Sequence, residues 1–388
     1  MVDDITGAYL DHSSATPLRP AVRHAMVTVL GGDLGNPEAL HDAARGAYEG
    51  VESARGDVAC LLGASPDGVV FTAGDAEARN LAVKGIWSAN RHRGAHIVTT
   101  AVEHDSVINA CRALQRVGAE LTVVPVDHEG RPDPTALAAA VRDDTVLVSV
   151  AHGQGEIGTV QDVVGICAAI RSRRDDVAIH VDCSTTAGIL PIDADVWGCD
   201  AISIGGGSFG APRWAGALWV RPGTRLHPLV DGGAQEGGKR AGHHDLPGIV
   251  GLGTGARIAL QEMTARAAAM TVNATLLIDG LLDLDGVHLN GPRVDRIPGH
   301  VQVSVDGIEG EALTLMLAAA GVACSPGSAC SAVGKSSAIL EAIGQTAPRT
   351  MSAVLFTLSA DTTRDEIRVA IDAVADAAGR LRAMGVRE

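Results

Sequence analysis

Five short apolar runs decide the fold: VVFTAG (69–74), HIVTTAV (96–102), ELTVVPV (120–126), TVLVSVAH (145–152) and VAIHVDC (177–183). Each is as long as a strand and rich in β-branched residues, and the segments between them, such as Asp105–Val117 and Pro134–Val141, carry apolar residues at helical spacing. Strands alternating with helices imply a mostly parallel sheet covered on both faces. Two further runs, DAISIGG (200–206) and GALWVRP (216–222), follow each other closely and predict an antiparallel edge. The sum is a mostly parallel seven-stranded sheet.

After this α/β region the pattern changes. A long helix is predicted over roughly Leu246–Leu284, then short strands near HVQVSVDG (300–307) and AVLFTLS (353–359), and a last helix opened by a capping box of Thr363 with Glu366. This second unit reads as a smaller α+β domain.

Composition narrows the function. The chain has 388 residues, 46% hydrophobic and 20% charged, with a net charge of −15 that would repel nucleic acid and anionic membranes. No segment has the apolar length of a membrane span. The start, MVDDITGAYLDHS, is acidic without an apolar core, and seven scattered cysteines form no CxxC pair or metal-ligand spacing. A soluble, cytoplasmic protein with free thiols and no metal is expected. Lysine is scarce: Lys84, Lys239 and Lys335 are the only three.

Motifs over nearly the whole length resemble the cysteine desulfurase family. In order they are YLDHSSATP (9–17), GNPEALH (35–41), the Ala54–Arg55 pair, FTAGDAEARN (71–80), VEHDSV (102–107), GEIGTVQD (155–162), HVDCSTTAGILPID (180–193), GGAQEGGKRAG (232–242) and CSPGSACS (324–331). The resemblance implies the fold type I arrangement of pyridoxal phosphate (PLP) enzymes. It would have a large domain over 15–260, a small domain of 1–14 and 261–388 carrying the Cys330 loop, and a homodimer whose sites draw on both subunits. It also implies that His104 matches the histidine that stacks on the PLP ring, Asp182 the partner of the pyridinium nitrogen, and Cys330 the mobile sulfur acceptor.

Against that pattern the chain departs at the cofactor and substrate contacts. The lysine of the Schiff base falls on Ser208, preceded by Gly205, Gly206 and Gly207 where the family has Ser-Gly-His. A hydroxyl cannot form an imine. The phosphate-binding threonine falls on Ala76, and Asp75 brings a carboxylate to the same turn, where N–H groups and hydroxyls are needed. The glutamine facing the PLP hydroxyl falls on Thr185, the threonine supplied across the dimer on His243, and the paired asparagines on Gln154 and Gly155. The substrate-carboxylate arginine falls on Leu355. The expectation is a chain without cofactor, whose ancestral PLP would bind at most non-covalently.

Three readings of function remain open. The first is a persulfide relay through Cys330, in a Gly/Ser-rich loop suited to a reactive thiolate, or a partner of an active desulfurase. The second is a new small-molecule site using His104, Asp182 and Ser208. The third is a true desulfurase with Lys239 or Lys335 as surrogate lysine. Plainer readings stand beside them: Cys330 as an inherited loop residue, and His104 and Asp182 as structural remnants. Cys324 reads as a buried strand-end cysteine. His180 is taken to point to the strand face opposite Asp182, and His243 and His244 to lack a third metal ligand.

Overall fold

The computed structural model describes residues 7–32, 35–327 and 336–385. Its strands are β1 (Ala8–Tyr9), β2 (Val69–Thr72), β3 (His96–Thr100), β4 (Glu120–Val124), β5 (Thr145–Ala151), β6 (Ala178–Asp182), β7 (Ala201–Gly205), β8 (Gly216–Val220), β9 (Val287–Leu289), β10 (His300–Val305), β11 (Val322–Ala323) and β12 (Ala353–Thr357). Seven of them form the main sheet, in the order β2-β8-β7-β6-β5-β3-β4. The five strands from β7 to β4 are mutually parallel. All seven residues of β5 are buried, as expected for a strand covered on both faces.

The antiparallel strand is not an edge. β8 lies between β2 and β7 and is antiparallel to both. Its five residues are all buried, so Trp219 and Leu218 pack inside the sheet. Such a strand needs neighbours on both sides to satisfy its backbone.

The helix Leu246–Leu282 joins two cores. Through Met263 it packs in the core of the main sheet with Ile204 and Phe209. From Ala274 it packs in a second core with Val301, Val303 and Phe356. That second core lies on the antiparallel sheet β12-β10-β9 and the parallel pair β1-β11. The last helix, Arg364–Gly385, opens on the expected box: the Glu366 N–H donates to Thr363 Oγ1 at 3.2 Å, and the Thr363 N–H donates to Glu366 Oε2 at 2.7 Å. Among the described residues no helix is long and apolar enough to cross a membrane.

Candidate active site at the strand ends

The parallel strands β3, β5, β6 and β7 end at Thr100, Ala151, Asp182 and Gly205, and all four residues line one cavity of about 1010 Å³. In an open α/β sheet the carboxyl ends of the strands are where ligands bind. The opposite wall comes from the helix Leu246–Leu282 and from β10 and β12, through Arg266, Met270, His300 and Leu355.

At the floor, Asp182 is 4% exposed and accepts four hydrogen bonds. Arg79 Nε donates to Oδ2 at 2.7 Å, while Oδ1 takes the Ser184 hydroxyl at 2.7 Å, the Ser203 hydroxyl at 2.8 Å and the Ser184 N–H at 3.2 Å. Burial alone would raise its pKa. The Arg79 guanidinium, helped by His180 and His104, outweighs burial and holds the carboxyl far below the usual range.

Arg79 is the residue that sequence reasoning missed. It is 2% exposed, and besides Asp182 its Nη1 donates to Asp75 Oδ2 at 2.8 Å and to Ser106 Oγ at 3.2 Å, and lies 3.3 Å from His104 Nδ1. Asp75 and Arg79 stand four apart on the helix Asp75–Asn80 and so share a face. The Asp75 side chain fits because residue 205 is glycine: a Cβ there would lie 2.8 Å from Asp75 Cβ. Asp75, Arg79 and Gly205 are thus one packing arrangement. Asp75 is no bare carboxylate, because it pairs with Arg79, which also serves Asp182. The available signal was the i,i+4 pairing of Asp75 with Arg79 beside an unexplained glycine.

His104 caps the helix Asp105–Gln115, its Nδ1 accepting the Ser106 N–H at 3.1 Å. That bond leaves the ring proton on Nε2. Burial, then the Arg79 charge, lowers its pKa and keeps the ring neutral. Beside it, Glu103 is fully buried; Oε1 accepts from the Thr100 hydroxyl at 2.6 Å and the Ala151 N–H at 3.0 Å, while Oε2 has no partner among the described residues. Burial pushes this carboxyl up to about 8. A second buried carboxyl of the cavity, Glu156, is pushed up to about 7 and accepts the Ser337 hydroxyl at 2.7 Å.

The other expected residues divide. Asp75, Gly205, Ser208, Thr185, Gln154, Gly155 and Leu355 line the cavity. Ser208 spends its hydroxyl on the Ala187 carbonyl at 2.8 Å. Ala76 and His243 are exposed and do not line it. No lysine lines the cavity among the described residues. Cys330 and Lys335 lie outside the described residues. Cys324 follows β11 half-buried, its thiol pushed up to about 12 by burial.

The reading of His180 needs correction. Strand side chains two apart share a face, and His180 joins the Asp182 network: its Nε2 lies 3.0 Å from Ser203 Oγ, which donates to Asp182. His244 is also not idle, since its Nε2 lies 2.9 Å from Glu236 Oε1.

Comparison with known proteins fits this geometry. The aminotransferase class-V family model matches residues 8–369. Cysteine desulfurase IscS of Dictyoglomus turgidum is 36% identical over 376 residues, covering 96% of this chain and 95% of that protein. Cysteine desulfurase IscS of Pectobacterium atrosepticum is 38% identical over 380 residues, covering 96% and 93%. Among solved structures, a NifS-like protein superposes with a TM-score of 0.91 at 28% identity, covering 97% of this chain and all of that one. SspA in complex with cysteine gives 0.80 at 27% identity, covering 92% of this chain and 100% of that one.

These relatives overturn the expectation of a chain without cofactor. Cysteine desulfurases are PLP-dependent, so PLP is the expected cofactor. Its usual seat is altered here. Ser208 offers no amine for an imine, and both Asp182 carboxylate oxygens are already engaged, Oδ2 by the Arg79 guanidinium. These residues do not fit a PLP held by a lysine imine and an aspartate–pyridinium pair. Sequence, fold and the buried aspartate at the end of β6 nevertheless agree, and the chain belongs to the cysteine desulfurase family of class V aminotransferases.

Proposed function

We propose that this chain is a cysteine desulfurase-like sulfur-transfer protein that carries sulfur on Cys330 and performs no lysine-dependent desulfuration of its own. One observation carries the reading: the lysine position holds Ser208, whose hydroxyl is bound to Ala187, beside an Asp182 already paired with Arg79. The scaffold persists while the covalent handle is gone. The PGSAC loop supplies the thiol, which in the family is the sulfur acceptor.

The transfer needs no oxidant. A Cys330 thiolate attacks the outer sulfur of a donor persulfide, the S–S bond breaks, and the donor leaves as its thiolate. A second attack by an acceptor thiolate passes the sulfur on. The donor and acceptor are partner proteins, and the working form is a homodimer. Leu40, Tyr48, Trp214 and Leu229 remain exposed on the protomer, apolar surface of the kind a subunit contact covers.

The test treats the purified chain, with PLP added, with L-cysteine and separately with a persulfidated small thiol. Alanine release and intact mass are followed. The expected result is no alanine, a gain of one sulfur from the persulfide, and loss of that gain in Cys330→Ser. Alanine release that disappears in Lys239→Ala or Lys335→Ala would establish a desulfurase with a surrogate lysine. Sulfur loading that survives Cys330→Ser would overturn the relay.

A further inference from the structure

The cavity carries unmatched cation capacity on one side. Of the four arginines that line it, Arg79 is consumed by Asp182 and Asp75, Arg213 donates to the Ser14 carbonyl at 2.8 Å, and Arg112 donates to Asn109 Oδ1 at 3.4 Å. Arg266 is half-buried and makes no hydrogen bond or ion pair within 4.0 Å among the described residues. The charges acting on it are Arg19, Asp361 and Glu262, and Glu262 is already bound to Arg19 at 2.5 Å. Of the lining acids, Asp75 and Asp182 are paired with Arg79, burial pushes Glu103 up to about 8, and none of Asp105, Glu156 and Glu341 pairs with Arg266 within 4.0 Å.

A second, independent observation stands on the same wall. His300 of β10 lines the cavity at 4% exposure, and neither ring nitrogen makes a well-formed hydrogen bond among the described residues, the Pro298 backbone acting on the ring without one. A buried imidazole whose donor and acceptor are not well met destabilises the fold until something meets them. His12, also lining, has its Nδ1 buried and unpartnered. Apolar side chains stand beside them: Met270, one turn beyond Arg266 on the same helix face, with Ile189, Leu355 and Leu358. Leu355 stands where the family's carboxylate-clamping arginine falls. In this chain the cation therefore comes from the long helix instead of from β12.

We propose that this wall binds a small organic carboxylate, its acid group held by Arg266 and a second polar substituent met by His300. The guanidinium matches a carboxylate in charge and in fork geometry. A half-buried position strengthens the contact over one in open water. The apolar side chains take the carbon skeleton. The proposed contacts are those of Arg266 and His300, so the proposal stands or falls apart from sulfur transfer.

Isothermal titration of the full chain with lactate, succinate and L-alanine tests it, with lactamide as the uncharged control and inorganic phosphate as a non-carboxylate anion. At least one carboxylate should bind, about tenfold or more weakly in Arg266→Leu, as for loss of one charge-assisted bond. Lactamide should not bind. Arg266→Gln serves if the leucine variant fails to fold, judged by near-ultraviolet circular dichroism. Binding of none of the three carboxylates, or equal binding by parent and both Arg266 variants, would overturn the proposal. Phosphate bound as tightly, with the same Arg266 dependence, would overturn the assignment to carboxylates.

Discussion

The two walls of the cavity are built on opposite terms. On the strand-end wall the central charges are paired: Arg79 bridges Asp182 and Asp75, and Ser184, Ser203 and His180 complete the network. On the facing wall Arg266 has no ion pair within 4.0 Å, Asp361 and Glu262 acting on it from farther off, and His300 has no well-formed ring hydrogen bond among the described residues. A satisfied network fixes a conformation; an unsatisfied one waits for a ligand. The first wall holds Asp182 and His104, and the second holds Leu355. The chain has closed one set of contacts within itself and left the other open.

The largest effect should come from breaking the closed wall. Arg79→Met leaves Asp182 buried with its main counter-charge gone, a loss of about 3–5 kcal/mol of stability by urea unfolding. Adding Asp182→Asn should recover a good part of that loss, because the stranded charge goes with it. A loss below about 1 kcal/mol in Arg79→Met would mean that the pair is not the keystone of that wall.

A smaller effect concerns the proton that Glu103 keeps at the edge of this network. Folded, its carboxyl holds the proton up to about 8; unfolded, it releases it near the ordinary 4.5. Between those values the unfolded chain binds fewer protons than the folded one, so stability must fall as pH rises through the window. Glu156 adds a similar slope up to about 7. Glu103→Gln mimics the protonated side chain, keeps an oxygen for the Thr100 and Ala151 donors, and should flatten the fall without lowering stability at the acidic end. Urea midpoints measured across the window check it; an unchanged slope would show that Glu103 ionises normally.

How much of this was legible in the sequence follows from the physics of each part. The strands announced themselves because buried parallel strands are unbroken apolar runs, as TVLVSVA of β5 is. The place of β8 did not, since run and spacing show that a strand returns antiparallel but not which neighbours it inserts between. Asp182, His104 and Ser208 were found through the motifs that carry the family resemblance. Arg79 was hidden inside one of those motifs, because a helical arginine reads by default as surface and only the fold brings it onto Asp182. His180 was misread by counting the strand alternation wrongly. Arg266 had no signal at all, since nothing in a long helix says which arginine lacks an acid.

The smallest effect is the one that separates the two walls most sharply. In a satisfied network, removing a polar side chain strands its partners and costs stability; on the open wall there are no partners to strand. His300→Phe keeps a planar ring of similar volume and deletes two buried, unpartnered nitrogens. Burial, together with the Arg296 charge, already holds this imidazole neutral by lowering its pKa to about 4, so no charge is lost either. The variant should therefore be as stable as the parent or more so by about 1 kcal/mol, while carboxylate affinity falls. A clear destabilisation would mean that His300 is satisfied in the working protein, and the contrast between the walls would then be one of occupancy rather than of design.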